Sequence, residues 1–248
     1  MKTGNFDFPD LATVPEDVEL VAVGQTDITG EPIYLTPGGN WPKLIADGST
    51  WNSEVLIWAY KNGYFPMPLD AKESPLVISW WSPNPRGVLD PAKIKISNSL
   101  KKSIKKFSFT VNQDFEFVIR NCGSPTRPSG WITEHVIVAY LELHSLGFAH
   151  SIEVRNLSGQ IVGGLYGVEV GGLFAGESMF HNVTDASKAA LVFLAQQLND
   201  GKGRLIDCQW QTDHLATLGV REISRTSYVA QLTKLLQIEP RFSRYSQS

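Results

Sequence analysis

The sequence contains little cysteine and no long hydrophobic run. Cys122 and Cys208 are the only cysteines among 248 residues. No Cys/His spacing typical of a zinc site occurs, so we expect neither a disulfide framework nor a bound metal. No stretch approaches the ~20 apolar residues that a membrane span needs, and residues 1–10 lack the apolar core of a signal peptide. We therefore expect reduced thiols, no membrane contact and a cytoplasmic location.

The small net charge hides two oppositely charged segments. The formal net charge is −3, but residues 86–106 contain seven Lys or Arg side chains and one Asp. Residues 1–40 have the opposite bias, with seven acidic side chains and one Lys. Because a local field decides where a polyanion binds, the basic segment is a candidate nucleic-acid surface. The alternative is an ordinary amphipathic helix that buries Leu100 and Ile104 and exposes its lysines.

The order of helical and strand-like patterns predicts an α+β fold in two parts. Residues 1–85 are rich in Pro and Gly and contain one clear helix near Ser53–Lys61, which indicates a small N-terminal α/β domain. Residues 86–248 alternate between strand and helix patterns and predict a mixed, largely antiparallel sheet covered by helices. The predicted helices of this second part span 97–106, 132–146, 185–198 and 227–238. The predicted strands span 107–111, 150–154, 161–170, 173–180 and 205–210.

Glu177, Asp207 and Gln209 interrupt apolar strand patterns. Burying such groups costs free energy unless a partner or a ligand satisfies them. Gly171-Gly172 predicts a two-residue turn, which would place Tyr166 opposite Glu177. Alternation along a strand puts Asp207 and Gln209 on one face. Each could merely face water or pair with an arginine, but together they indicate a functional site.

One segment suggests a coenzyme A enzyme. Residues 160–165 resemble the pyrophosphate-binding loop of GNAT acyltransferases, although Leu165 stands where that loop has Gly or Ala. A CoA-dependent acetyltransferase is therefore a second hypothesis for the activity.

Several further motifs occur in order between residues 52 and 228. They are Tyr60-x-x-Gly63-Tyr64-Phe65-Pro66-Met67, Trp80-Trp81-Ser82-Pro83-Asn84-Pro85-Arg86-Gly87-Val88-Leu89, Gly130-Trp131-Ile132-Thr133, His150-Ser151-Ile152-Glu153-Val154, Gly163-Gly164-Leu165-Tyr166-Gly167-Val168, Gly176-Glu177-Ser178-Met179-Phe180, Ala186-Ser187-Lys188 and Leu205-Ile206-Asp207-Cys208-Gln209. They resemble the motifs of the leucyl/phenylalanyl-tRNA-protein transferase family in their order and, nearly, in their spacing. The resemblance implies a GNAT-like second domain that binds tRNA in place of coenzyme A.

The resemblance also implies an activity. Such an enzyme moves Leu or Phe from an aminoacyl-tRNA to the α-amino group of a protein that begins with Arg or Lys, which marks the protein for N-end-rule degradation. The aminoacyl ester is already activated, so no cofactor is expected, and we expect a monomer. A third hypothesis is a tRNA-binding module without catalytic activity.

Catalytic roles follow from the resemblance. The side-chain carbonyl of Gln209 would hold the attacking amine, and Asp207 would polarise and orient Gln209. Glu177 would bind either the aminoacyl-adenosine end or the incoming cationic N-terminus. Because an amide is a very poor base, Gln209 is an orienting acceptor rather than a full proton acceptor.

Binding residues follow from motif position. The apolar pocket for the Leu or Phe side chain is assigned to Leu165, Phe174, Met179, Leu194 and Ile206, with Tyr166 as a further substrate-binding residue. The residues near the terminal adenosine are Tyr60, Met67, Trp131 and Tyr140. The residues expected to bind tRNA phosphates are Arg86, Lys93, Lys95, Lys101, Lys102, Lys105 and Lys106. Met67 and Leu165 depart from the residues that family members often carry, which leaves the preference among Leu, Phe and Met open.

Overall fold

Two β-sheets contain the strands of the part of the chain that the structure describes. The computed structural model describes residues 10–12, 14, 20–25, 32–34, 53–68, 78–124 and 131–242. The first sheet has four antiparallel strands in the order β2-β1-β4-β3. They are β1 (Leu20–Gln25), β2 (Pro32–Tyr34), β3 (Phe65–Pro68) and β4 (Ile78–Pro83). Helix α1 (Ser53–Lys61) is the helix that was predicted at this position, and it precedes β3. Most of the acidic segment 1–40 lies outside the described residues.

The second sheet has seven strands in the order β11-β5-β10-β9-β8-β7-β6. They are β5 (Arg86–Leu89), β6 (Ser108–Val111), β7 (Ala149–Arg155), β8 (Ile161–Val170), β9 (Leu173–His181), β10 (Leu205–Gln209) and β11 (Arg221–Ile223). Strands β9 and β10 are parallel, and the other neighbouring strands are antiparallel. The predicted α+β class and the mixed, largely antiparallel sheet are therefore confirmed.

Helices cover both faces of the second sheet. They are α2 (Asn98–Ile104), α3 (Phe115–Cys122), α4 (Glu134–Ser145), α5 (Ala186–Leu198), α6 (Asp213–Thr217) and α7 (Arg225–Leu235). Helices α1, α3, α4 and α7 contribute buried side chains to one hydrophobic cluster, and α2 and α5 contribute to another. Helix α5 lies so close to β8 that a Cβ atom on Gly163 would come within 2.6 Å of the Ala186 Cβ. This close approach requires glycine at that point of the strand.

The predicted helices and strands of the second part are confirmed to within a few residues, and the structure has further elements that were not predicted. Hydrophobic periodicity did not indicate α3 or the short elements α6 and β11. The prolines at positions 83 and 85 predict an irregular link over residues 80–86. Instead, β4 continues to Pro83 and β5 begins at Arg86, so only two residues separate the strands.

The β8–β9 hairpin turns at Gly171-Gly172, as predicted, but its register changes further along. Val170 lies opposite Leu173, and the pairing then shifts between Tyr166 and Gly167. Tyr166 consequently lies opposite Ser178, so the predicted Tyr166–Glu177 pair is wrong. Glu177 is the extra residue of a β-bulge in β9, which changes the direction of its side chain relative to simple alternation. The strand pattern carries no signal for such an insertion.

Candidate active site

A cavity lies where β9 and β10 stop pairing. The parallel ladder joins Leu173–Ala175 to Leu205–Asp207 and ends there, although β9 continues to His181. The cavity measures about 150 Å³ and is lined by Leu165, Tyr166, Gly176, Glu177, Ser178, Met179, Leu191, Leu194, Ile206, Cys208, Gln209 and Leu215. An apolar cavity of this size holds a benzene ring in other proteins. The space therefore suits a Leu or Phe side chain.

Three polar atoms at this cavity have no hydrogen-bond partner among the described residues. They are the hydroxyl oxygen of Tyr166, Oε1 of Glu177 and Nε2 of Gln209, and each is buried. Buried polar atoms without partners are rare in folded proteins because each costs free energy. A mostly apolar cavity with a few converging polar groups is typical of a ligand site.

Gln209 reaches the cavity from an unusual backbone conformation. Its φ angle is +58°, and the pairing of β10 with β5 shifts between Asp207 and Gln209. A positive φ is unfavourable for a residue with a Cβ atom and persists only where surrounding contacts hold it. One such contact is the backbone N–H of Gln209, which donates to Oδ1 of Asp207 at 2.9 Å.

Asp207 is held by donors on both carboxylate oxygens. Nε of Arg86 donates to Oδ1 at 2.9 Å, and Nη2 of Arg86 donates to Oδ2 at 2.6 Å. The Tyr228 hydroxyl donates to Oδ2 at 2.8 Å. Asp207 was expected to polarise the Gln209 side chain, but its contact is with the Gln209 backbone. Asp207 therefore positions Gln209 by fixing the chain rather than by touching the amide.

Arg86 lies in the interior rather than on the tRNA-facing surface that the sequence suggested. It is 1% exposed, and its guanidinium lies 4.8 Å from the Phe65 ring centre and 4.6 Å from that of Tyr228. Its Nη1 donates to the carbonyl oxygen of Gly63 at 3.3 Å. The expectation that Arg86 binds a phosphate is therefore wrong. Burying an arginine costs less free energy when its N–H donors have acceptors, as those of Arg86 do at Asp207 and Gly63.

Glu177 is connected to two buried tyrosines. The Tyr140 hydroxyl donates to Oε2 of Glu177 at 3.1 Å, and the Tyr60 and Tyr140 oxygens are 2.5 Å apart. Because a tyrosine has one hydroxyl proton, Tyr60 must donate to Tyr140. The three side chains thus form a chain of hydrogen bonds that ends at the cavity.

Burial raises the pKa of Glu177 to about 7. The hydroxyls of Tyr60 and Tyr140 act against this rise, because they stabilise the charged carboxylate. The negative charge of Asp207 adds to the rise. Near neutral pH, Glu177 can therefore both hold and release a proton.

The other predicted binding residues divide into two groups. Leu165, Tyr166, Met179, Leu194 and Ile206 line the cavity. Phe174 does not, because it packs in the core with its ring 6.0 Å from that of Phe242. Tyr60 and Tyr140 are 2% and 0% exposed, so neither ring presents a face for stacking on a base, and they reach the cavity only through their hydrogen bonds to Glu177. Met67 and Trp131 are half-buried and do not line the cavity.

Sequence analysis missed two aromatic residues at the site. Tyr228 contacts Asp207 from α7, and no pattern in the sequence indicated this. Trp210 follows Gln209 directly and is 39% exposed, with its ring 5.2 Å from that of Phe65 and 6.3 Å from that of Trp81. Its position after the polar insertion of β10 was the available signal.

The predicted basic surface is present without Arg86. Every lysine of this group is exposed: Lys93, Lys95, Lys101, Lys102, Lys105 and Lys106. Lys93 is paired with Asp90 at 3.2 Å. The backbone of Lys95 bonds to Leu218 just after α6, and Leu215 of α6 lines the cavity. The basic segment therefore runs beside one wall of the cavity.

The segment that resembles a pyrophosphate-binding loop is not a loop. Ile161–Leu165 lies within β8, and Gly163 and Gly164 pair with β7 on one side and β9 on the other. Backbone amides engaged in a central strand cannot cradle a phosphate. The structure thus removes the feature that suggested coenzyme A binding.

The described residues contain neither a metal-binding cluster nor a membrane-spanning helix. No group of three or more His, Cys, Asp or Glu side chains within the described ranges is placed to hold a metal ion. In those same ranges, no helix has the length and apolar character needed to cross a membrane.

Comparison with solved structures gave weak similarity. A GCN5-related N-acetyltransferase from Kribbella flavida is 12% identical with a TM-score of 0.36, and the match covers 57% of this chain and 55% of that one. The structure of L-PGS from Bacillus licheniformis is 11% identical with a TM-score of 0.36, and the match covers 73% of this chain and 62% of that one. Family assignment therefore rests on sequence.

Comparison with protein families and with curated sequences is decisive. Residues 88–233 match the family model of leucyl/phenylalanyl-tRNA protein transferase, and residues 52–84 match the model of its N-terminal domain. A leucyl/phenylalanyl-tRNA–protein transferase from Nitrosomonas europaea is 44% identical over 209 residues, which covers 83% of this chain and 85% of that protein. One from Tolumonas auensis is 47% identical over 196 residues, covering 77% and 82%. This chain therefore belongs to the leucyl/phenylalanyl-tRNA protein transferase family.

Proposed function

We propose that this protein transfers Leu or Phe from an aminoacyl-tRNA to the N-terminal α-amino group of proteins that begin with Arg or Lys. The observation that carries the proposal is the apolar cavity of about 150 Å³ with Gln209 and Glu177 on its wall. Family membership supports the choice of aminoacyl-tRNA and protein as substrates. We further propose that the protein acts as a monomer in the cytoplasm, where the transfer marks its substrates for degradation.

The aminoacyl side chain enters the apolar part of the cavity. Leu165, Met179, Leu194 and Ile206 provide a wall that excludes water from a Leu or Phe side chain. Each buried CH₂ group contributes about 0.8 kcal/mol, so side chains smaller than Leu bind less tightly. The cavity therefore favours Leu and Phe over smaller aminoacyl side chains.

Gln209 orients the reacting groups. The aminoacyl ester is already activated, so catalysis consists mainly of holding the amine against the ester carbonyl, which lowers the barrier by roughly 7–11 kcal/mol at most. The side-chain carbonyl of Gln209 accepts a hydrogen bond from the attacking amine. Its unpartnered Nε2 is available as a donor to the ester carbonyl oxygen.

A positively charged surface holds the tRNA. The exposed lysines of residues 93–106 run beside α6, one residue of which lines the cavity. Phosphates bound there would bring the acceptor end of the tRNA towards the opening between β9 and β10. The half-buried side chains of Met67 and Trp131 and the exposed ring of Trp210 are the candidates for contact with the terminal base.

A transfer assay tests the proposal. The purified protein is incubated with Leu-tRNA carrying labelled Leu and with a peptide that begins with Arg, and we expect label in the peptide. A peptide with an acetylated N-terminus is the matched control and should remain unlabelled. Absence of transfer with intact substrates contradicts the proposal. If the protein binds tRNA but transfers nothing, it is a binding module without catalytic activity.

A further inference from the structure

The reaction proposed above requires one proton to move. An amine that attacks the ester carbonyl loses a proton when the amide forms, and the 3′-oxygen of the tRNA gains one when it leaves. Without a group to carry this proton, the enzyme must expel a poorly stabilised oxyanion. The cavity therefore needs a side chain that can accept and return a proton near neutral pH.

Most polar groups at the cavity cannot do this. Gln209 has a neutral amide, which is a very poor base. Burial raises the pKa values of the Cys208 thiol and the Tyr166 hydroxyl well above neutral pH, so both stay protonated. Asp207 receives hydrogen bonds on both oxygens, from Arg86 and Tyr228 among others, and does not line the cavity.

Glu177 has a different geometry. Its Oε2 accepts the Tyr140 hydroxyl at 3.1 Å, and Tyr140 is in turn bonded to Tyr60 at 2.5 Å. Its Oε1 is buried without a partner among the described residues. One oxygen is therefore held in place, and the other is free to meet a proton in the cavity.

Burial and the groups around Glu177 together place its pKa near neutral pH. The ionisable groups that face it are Tyr60 from α1, Tyr140 from α4, Tyr166 from β8, Asp207 from β10 and Arg86 from β5. Burial raises the pKa of Glu177 to about 7, and the hydroxyls of Tyr60 and Tyr140 act against the rise. A general acid–base group works best when its pKa lies near the working pH.

We propose that Glu177 carries the proton from the attacking amine to the departing 3′-oxygen. As the amine nitrogen bonds to the ester carbon, Oε1 of the Glu177 carboxylate takes a proton from that nitrogen. As the bond from the ester carbon to the 3′-oxygen breaks, the protonated Glu177 gives the same proton to that oxygen. The products are an amide and a free 3′-hydroxyl, and Glu177 is again a carboxylate. This role rests on the proposed aminoacyl transfer.

Single-turnover kinetics with Leu-tRNA and an Arg-initiated peptide test the proposal. We expect Glu177→Gln to slow transfer at saturating substrate by roughly 10²–10⁴-fold, with little change in KM. The ratio of wild-type to variant rates should rise with pH through about 7. The wild type needs the charged Glu177 carboxylate, which forms over this pH range, whereas the side chain of the variant does not titrate. The peptide amine titrates equally in both proteins, so it cancels in this ratio.

Two further variants separate the proton role from a structural one. Tyr140→Phe removes a hydrogen bond to the charged form of Glu177, so it should move the acidic limb of the wild-type profile to higher pH. Glu142→Gln changes an exposed carboxylate on α4 that bonds to Ser53, and it should leave both rate and profile unchanged.

The possible results distinguish a failure of the proton role of Glu177 from a failure of the proposed aminoacyl transfer. If the wild type transfers Leu but the Glu177→Gln rate ratio is independent of pH, the proton role is overturned. A variant that raises KM at an unchanged maximal rate overturns it as well and assigns Glu177 to substrate binding. If the wild type itself transfers nothing, the proposed function fails, and this inference fails with it.

Discussion

Arg86 and Asp207 form a two-bond ion pair in the interior of the protein, with 2.9 Å between Nε and Oδ1 and 2.6 Å between Nη2 and Oδ2. Both side chains are nearly inaccessible, at 2% and 1% exposure. The carboxylate also fixes the backbone of Gln209, so the pair determines where the cavity's amide points. The ion pair thus connects the stability of the fold with the geometry of the candidate active site.

Replacement of Arg86 should destabilise the fold strongly. Arg86→Ala leaves a buried carboxylate without its counter-charge, which costs about 3–5 kcal/mol in proteins. We expect that loss in the free energy of unfolding measured by urea titration. The matched control is Arg120→Ala, because Arg120 also binds carboxylates, of Glu116 and Glu134, but at the surface. Its urea midpoint should hardly change, and similar losses in both variants contradict the interpretation.

Tyr228 should contribute through its hydroxyl as well as its ring. Tyr228→Phe removes the 2.8 Å hydrogen bond to Asp207 and keeps the ring beside the Arg86 guanidinium. A hydrogen bond to a charged group contributes about 1.5–3 kcal/mol, and we expect that loss in the free energy of unfolding. A double-mutant cycle with Arg86→Ala should show coupling, because both side chains act on one carboxylate. Strict additivity is the contrary result.

The cavity should discriminate between Phe and Leu by volume. Leu194→Phe places a larger side chain in the wall of a space of about 150 Å³. We expect kcat/KM for Phe transfer to fall about tenfold further than kcat/KM for Leu transfer, because the larger substrate loses more room. Leu194→Met conserves volume and serves as the control, with both values nearly unchanged. Equal losses for the two substrates indicate that Leu194 only supports the core.

The exposed lysines of α2 and its C-terminal turn should determine the salt dependence of tRNA binding. Replacing Lys101, Lys102, Lys105 and Lys106 by Ala should weaken tRNA binding and flatten the plot of log K against log salt, by about one unit for each phosphate that the variant no longer binds. Lys202→Ala combined with Lys234→Ala removes exposed charges elsewhere and should leave the slope near that of the wild type. An unchanged slope in the fourfold variant shows that those lysines are merely solvated.

Glu169 should make the fold less stable as pH rises. Burial raises the pKa of Glu169 to about 7 from 4.5, although the N–H groups of Arg241 and Phe242 donate to its carboxylate. Between these pH values the folded chain binds a proton that the unfolded chain has released, so the free energy of unfolding falls with rising pH. Glu169→Gln should lessen this fall over pH 4.5–7, as measured by urea titration at several pH values. A steeper fall in the variant contradicts the assignment.

The strands that carry the candidate site follow from the sequence, whereas the contacts of its side chains do not. The strands that carry Glu177, Asp207 and Gln209 were predictable, because period-two patterns and a Gly-Gly turn record local backbone preference. The bulge at Glu177 and the positive φ of Gln209 were not, because tertiary contacts hold them. Family motifs identified Arg86 as important but suggested a surface role. Whether an arginine binds a phosphate or an internal carboxylate depends on strand pairing, which no local pattern reveals.

The contacts of the Asp207 carboxylate limit the order in which parts of the chain can fold during synthesis. Its partners Arg86 and Tyr228 are 121 residues before it and 21 residues after it. During synthesis, Arg86 emerges long before its counter-charge, and β5 must wait for β10 and β11 as neighbours. Domains fold as units once their long-range partners are present. A nascent chain that stops before α7 therefore lacks Tyr228, one of the hydrogen-bond donors to the Asp207 carboxylate.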